Sequence, residues 1–244
     1  MIETYFEAIG ALLQRVLQTE KEKMERAAEK VADCVARGGI VHLFGCGHSH
    51  LLTEELFYRA GGLAAIKPVF HEPLMLHEGA VRSSELERQN GYARTFMEEQ
   101  DIRAGEVMFV LSTSGRNPVP VDVALVAKEK GAYTIGVTSL MYSLSQPSRH
   151  ESGMRLADAV DLVIDNHAPK GDAVLTHARL GKPFAPASTV LGAAILNATL
   201  ARAVVLLAER GLEPPVFLSG NIDGADTHNE ALIAKYRERI PLMS

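Results

Sequence analysis

The stretch 107–118, VMFVLSTSGRNP, decides how this chain is read. Its first five residues, Val107 to Leu111, are apolar without alternation, the pattern of a strand covered on both faces. The strand empties into three consecutive hydroxyls, Ser112, Thr113 and Ser114, and then Gly115. Asn117 and Pro118 follow as a helix N-cap and first helical residue. Strand, hydroxyl-rich turn and helix start together form a cradle for an anion. The first turn of a helix leaves backbone N–H groups free, its dipole is positive there, and the hydroxyls add donors. A serine-rich turn closed by a capping Asn has the same letters, and the rest of the chain separates the two.

Four further apolar runs lie at 40–44, 65–70, 134–137 and 160–164. The intervals 50–59 and 118–130 read as helices, the second ended by Gly131. Strands alternating with helices predict an α/β fold with a mostly parallel sheet. Ahead of it, Ile2, Tyr5, Phe6, Ile9, Leu12, Leu13, Val16 and Leu17 recur at helical spacing. Thr19 and Glu22 read as a capping box opening a second helix over 20–36, closed by Gly38 and Gly39. The apolar stripe of the first helix is expected to serve as a dimer surface for a second copy of the chain. The predicted division is an N-terminal helical extension (1–37), a main α/β domain (31–214) and a C-terminal tail (215–244).

The formal charge of −5 argues against a nucleic-acid surface, so any anion site must be built locally by loops and dipoles. Two cysteines, with no CxxC, fit a reducing compartment, and the N-terminus lacks the pattern of a signal peptide. A cytoplasmic protein is expected. The longest apolar stretch, 190–208, contains Asn197, Thr199 and Arg202 and is interrupted by Gly192, which predicts a core helix and no membrane partner.

The first apolar run ends in GCGHS, 45–49. Gly45 and Gly47 permit a tight turn and close backbone approach, and Ser49 stands at the entrance of the next helix. Gly45-x-Gly47-x-x-His50 lacks the third glycine of a dinucleotide fingerprint, and no GK[ST] marks a P-loop. Ligands of parallel α/β sheets bind beyond the carboxyl ends of the strands, where two such loops can converge.

GCGHS after the first strand and STSGRN after the third resemble the sugar isomerase (SIS) domain over residues 31–211. That domain is shared by phosphosugar isomerases, glucosamine-6-phosphate synthase and sugar-phosphate-sensing regulators. Phosphoheptose isomerases carry a similar STSG turn, and muramic acid 6-phosphate etherases an SGRTP turn. The resemblance implies a flavodoxin-like three-layer sandwich with a five-stranded parallel sheet, a homodimer or homotetramer, no cofactor, and a small-molecule sugar phosphate as ligand. It also implies phosphate contacts from Ser49, Ser112, Thr113, Ser114 and Asn117, with Gly47 beside them. The family usually has Ser or Thr where Asn117 stands.

Aldose–ketose isomerisation needs a base that moves a proton between adjacent carbons through an enediol, and an acid to open the ring. Glu55, in the helix after GCGHS, and His71 and Glu72, at the end of the second run, are the candidates. His228, in the tail segment NIDGADTHN (221–229), is a fourth if the tail closes over the pocket; an Asp-Gly turn with Asx capping accounts for the same letters. Ser188 opens the last helix and is a candidate substrate contact or a simple cap. The chain departs from the phosphoheptose isomerases at their metal positions. Its last helix, ASTVLGAAILNATLARAVV, has no Glu or His, and Glu55 and Arg59 stand where they have His and Glu. No metal is therefore expected. The expected function is phosphosugar isomerisation; a lyase or etherase, and a non-catalytic sugar-phosphate sensor, stay open.

Overall fold

Five short, mostly apolar segments become the strands of one sheet because nearly all of their side chains are buried. A computed structural model describes residues 1–244. In chain order the elements are α1 (Ile2–Ala36), β1 (Val41–Gly45), α2 (Leu51–Leu56), β2 (Ile66–Pro68), α3 (Ala80–Leu86), α4 (Arg94–Met97) and β3 (Val107–Leu111). Then come α5 (Pro118–Glu129), β4 (Tyr133–Thr138), α6 (Leu140–Leu144), α7 (Leu156–Ala159), β5 (Leu162–Asp165), α8 (Ser188–Glu209) and α9 (Ala225–Tyr236). All pairings are parallel and the order is β2-β1-β3-β4-β5. The expected α/β sandwich with five parallel strands is the observed one.

The order places a topological switch point between β1 and β3. From β1 the chain crosses outward to β2; from β3 it crosses the opposite way to β4, so the helices after β1 and β3 lie on opposite faces. Leu52 and Leu56 of α2 join α1 and α8 in one core, with Leu43, Phe109 and Ile164 of the sheet. Val119, Val123 and Val126 of α5 join Phe44, Met108 and Val110 in the other. The loops leaving β1 and β3 therefore part, and open a crevice between them.

Several boundaries differ from the sequence expectation. The first two helices are one, Ile2–Ala36. Thr19 does not cap: its hydroxyl donates to the Arg15 carbonyl (2.9 Å) and also meets Nε2 of His167 (2.7 Å). No breaker stands near Thr19, and burial of Val16, Glu20 and Ala27 carries the helix through. Helix α3 begins at Ala80 behind Gly79, and the Ser84 hydroxyl bonds back to the Ala80 carbonyl (3.1 Å). The helix read over 50–59 is shorter: a 3₁₀ turn, Gly47–His50, leads into Leu51–Leu56. The tail is not just a turn, because α9 begins directly after Gly224 (φ +84°). Helix α8 is long and apolar enough to cross a membrane by composition, with mean hydropathy 2.0. It packs along α1 and α2 through Leu191, Ile195, Leu196, Leu200 and Ala203, and leaves Val190 and Val205 exposed.

At the amino edge of the sheet, polar groups converge on one carboxylate. Glu106, just before β3, accepts from His42 Nε2 (2.8 Å), the Ile40 N–H (3.0 Å), the Arg103 N–H (3.0 Å) and Arg239 Nη2 (2.9 Å). Burial works to raise the Glu106 carboxyl; the bonds from His42, Arg103 and Ile40 outweigh it and hold it at about 2. Burial lowers His42 below the usual imidazole range. Its Nδ1 is buried without a partner, which suits a neutral ring donating Nε2–H to an ionised Glu106. Arg239 comes from the C-terminal segment, so this network ties the chain end to the sheet.

Candidate functional site

At the carboxyl edge the register pairs Gly45 with Leu111, so GCGHS and STSGRN leave the sheet side by side. Gly45 lets the first loop double back: a Cβ there would lie 2.6 Å from the Ser49 carbonyl carbon and oxygen. Gly115 (φ +58°) does the same in the second loop, where a Cβ would meet Thr138 Oγ1 at 2.6 Å. Gly47 and Ser49 fall in the 3₁₀ turn after β1, both half-buried. Ser112 is buried, and its hydroxyl accepts from the Gly115 N–H (3.3 Å). Thr113 and Ser114 are half-buried, and their side chains, like that of Ser49, form no hydrogen bond within the chain. Asn117 precedes α5 in an extended conformation, as an N-cap does, yet its side chain makes no capping bond. Its Oδ1 accepts from Arg149 Nη1 at 3.0 Å. The N-terminal N–H groups of α5 are thus left without a side-chain cap, beside three hydroxyls and a guanidinium.

The acid–base candidates divide. Glu55 is turned toward α8, ion-paired with Arg59 and accepting from Asn197 Nδ2 (3.3 Å). Glu54, one residue earlier, lies 3.6 Å from His50 Nε2 and lines a hollow of about 570 Å³ with Phe70, His71, Glu72, His77 and Leu242. His71 is stacked on Phe96 (centroids 4.3 Å apart) and its Nε2 meets the Tyr92 hydroxyl (2.8 Å). Burial lowers His71 against the opposing pull of Glu72, so the ring is neutral near pH 7. Glu72 is exposed in the short turn Glu72–Leu74. The β1 loop adjoins this hollow: Leu76 lies over Gly47, and the His50 and His77 rings are 6.2 Å apart. The structure thus gathers Gly47, Ser49, His71 and Glu72 around the first loop, and Ser112, Thr113, Ser114 and Asn117 around the second. It does not gather His228, whose Nε2 is bonded to the Val216 carbonyl (2.9 Å), where the tail pairs with Leu63 ahead of β2. Nor does Ser188 stand free: its hydroxyl donates to Asp172 Oδ2 (2.6 Å), and Asp172 Oδ1 accepts the Ser188 N–H (2.8 Å).

Sequence reasoning missed several groups. Glu54 and Glu55 are adjacent in sequence, and only packing against α8 decides which one faces the hollow. Arg149 and His150 lie on an irregular loop without periodicity. His150 Nε2 reaches Asp122 of α5 (3.0 Å), and the Arg149 N–H bonds to the Arg116 carbonyl (2.8 Å), which anchors that loop to the second turn. Glu87 follows α3; burial raises its carboxyl above the usual range, while a bond from Asn117 and the charges of Arg88 and Arg149 oppose the shift. Cys46, between the two glycines, is buried, and its thiol is pushed far up by burial and the nearby Glu87, which makes it a packing group and not a nucleophile.

A model of the SIS domain matches residues 4–139, more than half of the chain. A UPF0309 protein of Geobacillus thermodenitrificans is 63% identical over 243 residues, covering 100% of this chain and 98% of the relative. One of Listeria innocua is 59% identical over 243 residues, again 100% of this chain and 98% of the relative. Among solved structures, a phosphoheptose isomerase from Francisella tularensis superposes with a TM-score of 0.52 at 15% identity, over 83% of this chain and 95% of the other. The sugar isomerase domain of an RpiR transcription factor from Sphaerobacter thermophilus does so with 0.51 at 17%, over 86% and 92%. At such identities the superpositions establish the fold.

Proposed function

This chain belongs to the SIS-domain family, within its UPF0309 branch, and from that premise we propose that it binds a sugar phosphate at the β1 and β3 loops and isomerises it. The carrying observation is the Gly45–Leu111 register at the switch point, which sets two polar loops with unpartnered hydroxyls against the uncapped start of α5. The phosphate sits against Ser112, Thr113, Ser114 and the first N–H groups of α5, with Ser49 and Gly47 closing over it from the other loop. Asn117 lines the same turn and holds Arg149 there.

The sugar then extends from the phosphate into the neighbouring hollow. An exposed carboxylate there, Glu72 or Glu54, takes the proton from the carbon next to the carbonyl. The enediol forms, and the same proton, or one from solvent, returns to the adjacent carbon. Neutral His71, held by Tyr92, is placed to relay the hydroxyl proton. Glu55, bound to Arg59 and Asn197, supports α2 against α8 in this scheme. Cytoplasmic residence and a homodimer or homotetramer complete the proposal, supported by two free thiols and by the exposed Ile2, Phe6 and Leu17 of α1.

The test is exchange of a carbon-bound proton. Sugar phosphates that raise the thermal midpoint are incubated with the protein in deuterated water and followed by proton NMR. Loss of the signal beside the carbonyl, slowed about 100-fold or more in Glu72→Gln or Glu54→Gln, is expected. Binding without exchange for every ligand overturns the isomerase reading in favour of a sensor.

A further inference from the structure

The rim of the second loop carries more positive charge than one phosphate needs. Arg88, Arg116 and Arg149 converge there, in a chain whose formal charge is −5. Arg116 belongs to the turn itself, and Arg149 is hydrogen-bonded to it through the backbone and to Asn117 through its guanidinium. Arg88 follows Glu87, whose carbonyl accepts the Val119 N–H of α5 (3.2 Å). None of the three guanidiniums forms an ion pair, a condition they share with other surface arginines; what sets them apart is their closeness to one another. Arg116 Nε is fully buried and bonded to nothing. Burial and the nearby Arg116 and Arg88 charges push Arg149 below the ordinary arginine range. The arginines therefore repel one another without a neutralising carboxylate in ion-pair contact, with Glu87 nearby.

The loop that bears Arg149 is rigidly held. His150 is buried against Asp122, and Arg155 reaches back to the Ser143 (3.1 Å) and Gln146 (3.1 Å) carbonyls. Arg149 is thus presented with little freedom to lose on binding. A phosphate carries about two negative charges at most and is already served by hydroxyls and the start of a 12-residue helix. We infer that the sugar phosphate of this site bears a second anionic group, a carboxylate or another phosphate, seated by Arg116 and Arg149 at the rim of the 112–117 turn. Asn117 is the positioning residue: its Oδ1 accepts from the Arg149 guanidinium and holds it at the turn. The inference rests on the phosphosugar reading above.

Calorimetry on the full chain tests it with a hexose 6-phosphate, the matching 6-phosphoaldonate and a hexose bisphosphate. At least one of the doubly anionic ligands is expected to bind about tenfold or more tighter than the plain phosphate, as charge-assisted bidentate contacts do. Whichever gains names the second group. Arg149→Gln and Arg116→Gln are expected to remove that margin, while Arg149→Lys keeps part of it. If Arg116→Gln fails to fold, the exposed Arg149 decides alone. Equal affinity of all three ligands for the wild type, or a margin that survives both Gln variants, overturns the inference and leaves the phosphosugar reading standing. Failure of every phosphorylated ligand to bind overturns both.

Discussion

The two edges of the sheet use their polar side chains in opposite ways. At the amino edge, Glu106 accepts from His42, Ile40, Arg103 and Arg239, and the buried atoms of that network without a hydrogen bond are His42 Nδ1 and Arg239 Nε. At the carboxyl edge, Ser49, Thr113 and Ser114 have no partners within the chain, α5 starts without a side-chain cap, and Arg116 and Arg149 lack counter-ions. A network joined on one carboxylate stabilises the fold, because removing one member strands the others in a medium of low dielectric. A set of unpartnered groups stabilises little by itself and has its bonding capacity left for a ligand.

The largest effect that would break this contrast is at Gly45. Gly45→Ala places a methyl 2.6 Å from the Ser49 backbone, so the first loop must move. Phosphosugar affinity measured by calorimetry is expected to fall about 100-fold or more, with about 1–3 kcal/mol of stability lost to overpacking. Wild-type affinity in this variant would mean that the loop's close return does not build the cradle.

The amino edge predicts the reverse pattern. Glu106→Gln is expected to cost about 3 kcal/mol in urea unfolding at pH 7, as breaking a buried charged network does, with phosphosugar affinity changed less than about twofold. The pH dependence has a definite sign. The Glu106 carboxyl stands at about 2 in the folded chain against an ordinary value of 4.5. Its contribution is fully present above pH 4.5 and is lost as pH falls through 2. The wild type should therefore lose stability between pH 4.5 and 2 more steeply than Glu106→Gln. Parallel profiles would remove Glu106 from the account of stability.

These residues also show what a sequence can and cannot disclose. The strands were legible because a stretch such as VMFVL has only one stable use, burial on both faces. The two loops were legible because Gly45, Gly115 and the hydroxyls mark backbone turns whose chemistry is local. The single helix α1 was not, because Thr19 and Glu22 have the letters of a capping box, while the outcome turned on the burial of Val16, Glu20 and Ala27 against distant elements. The orientation of Glu54 against Glu55 depends on Asn197, more than a hundred residues away. Arg149 reaches Asn117 only because His150 and Asp122 fix an irregular loop, and no periodicity announces such a pairing. Local geometry is written in local letters; side-chain facing and charge convergence are products of the tertiary fold.

The most direct measurement compares a sugar phosphate with its unphosphorylated parent by calorimetry, for the wild type and for the Ser112→Ala/Ser114→Ala double variant. The wild type should prefer the phosphorylated form by about 100-fold or more, and the double variant should lose at least about tenfold of that preference. Equal binding of the two forms by the wild type, or an undiminished preference in a folded double variant, would contradict the claim that these loops exist to hold phosphate.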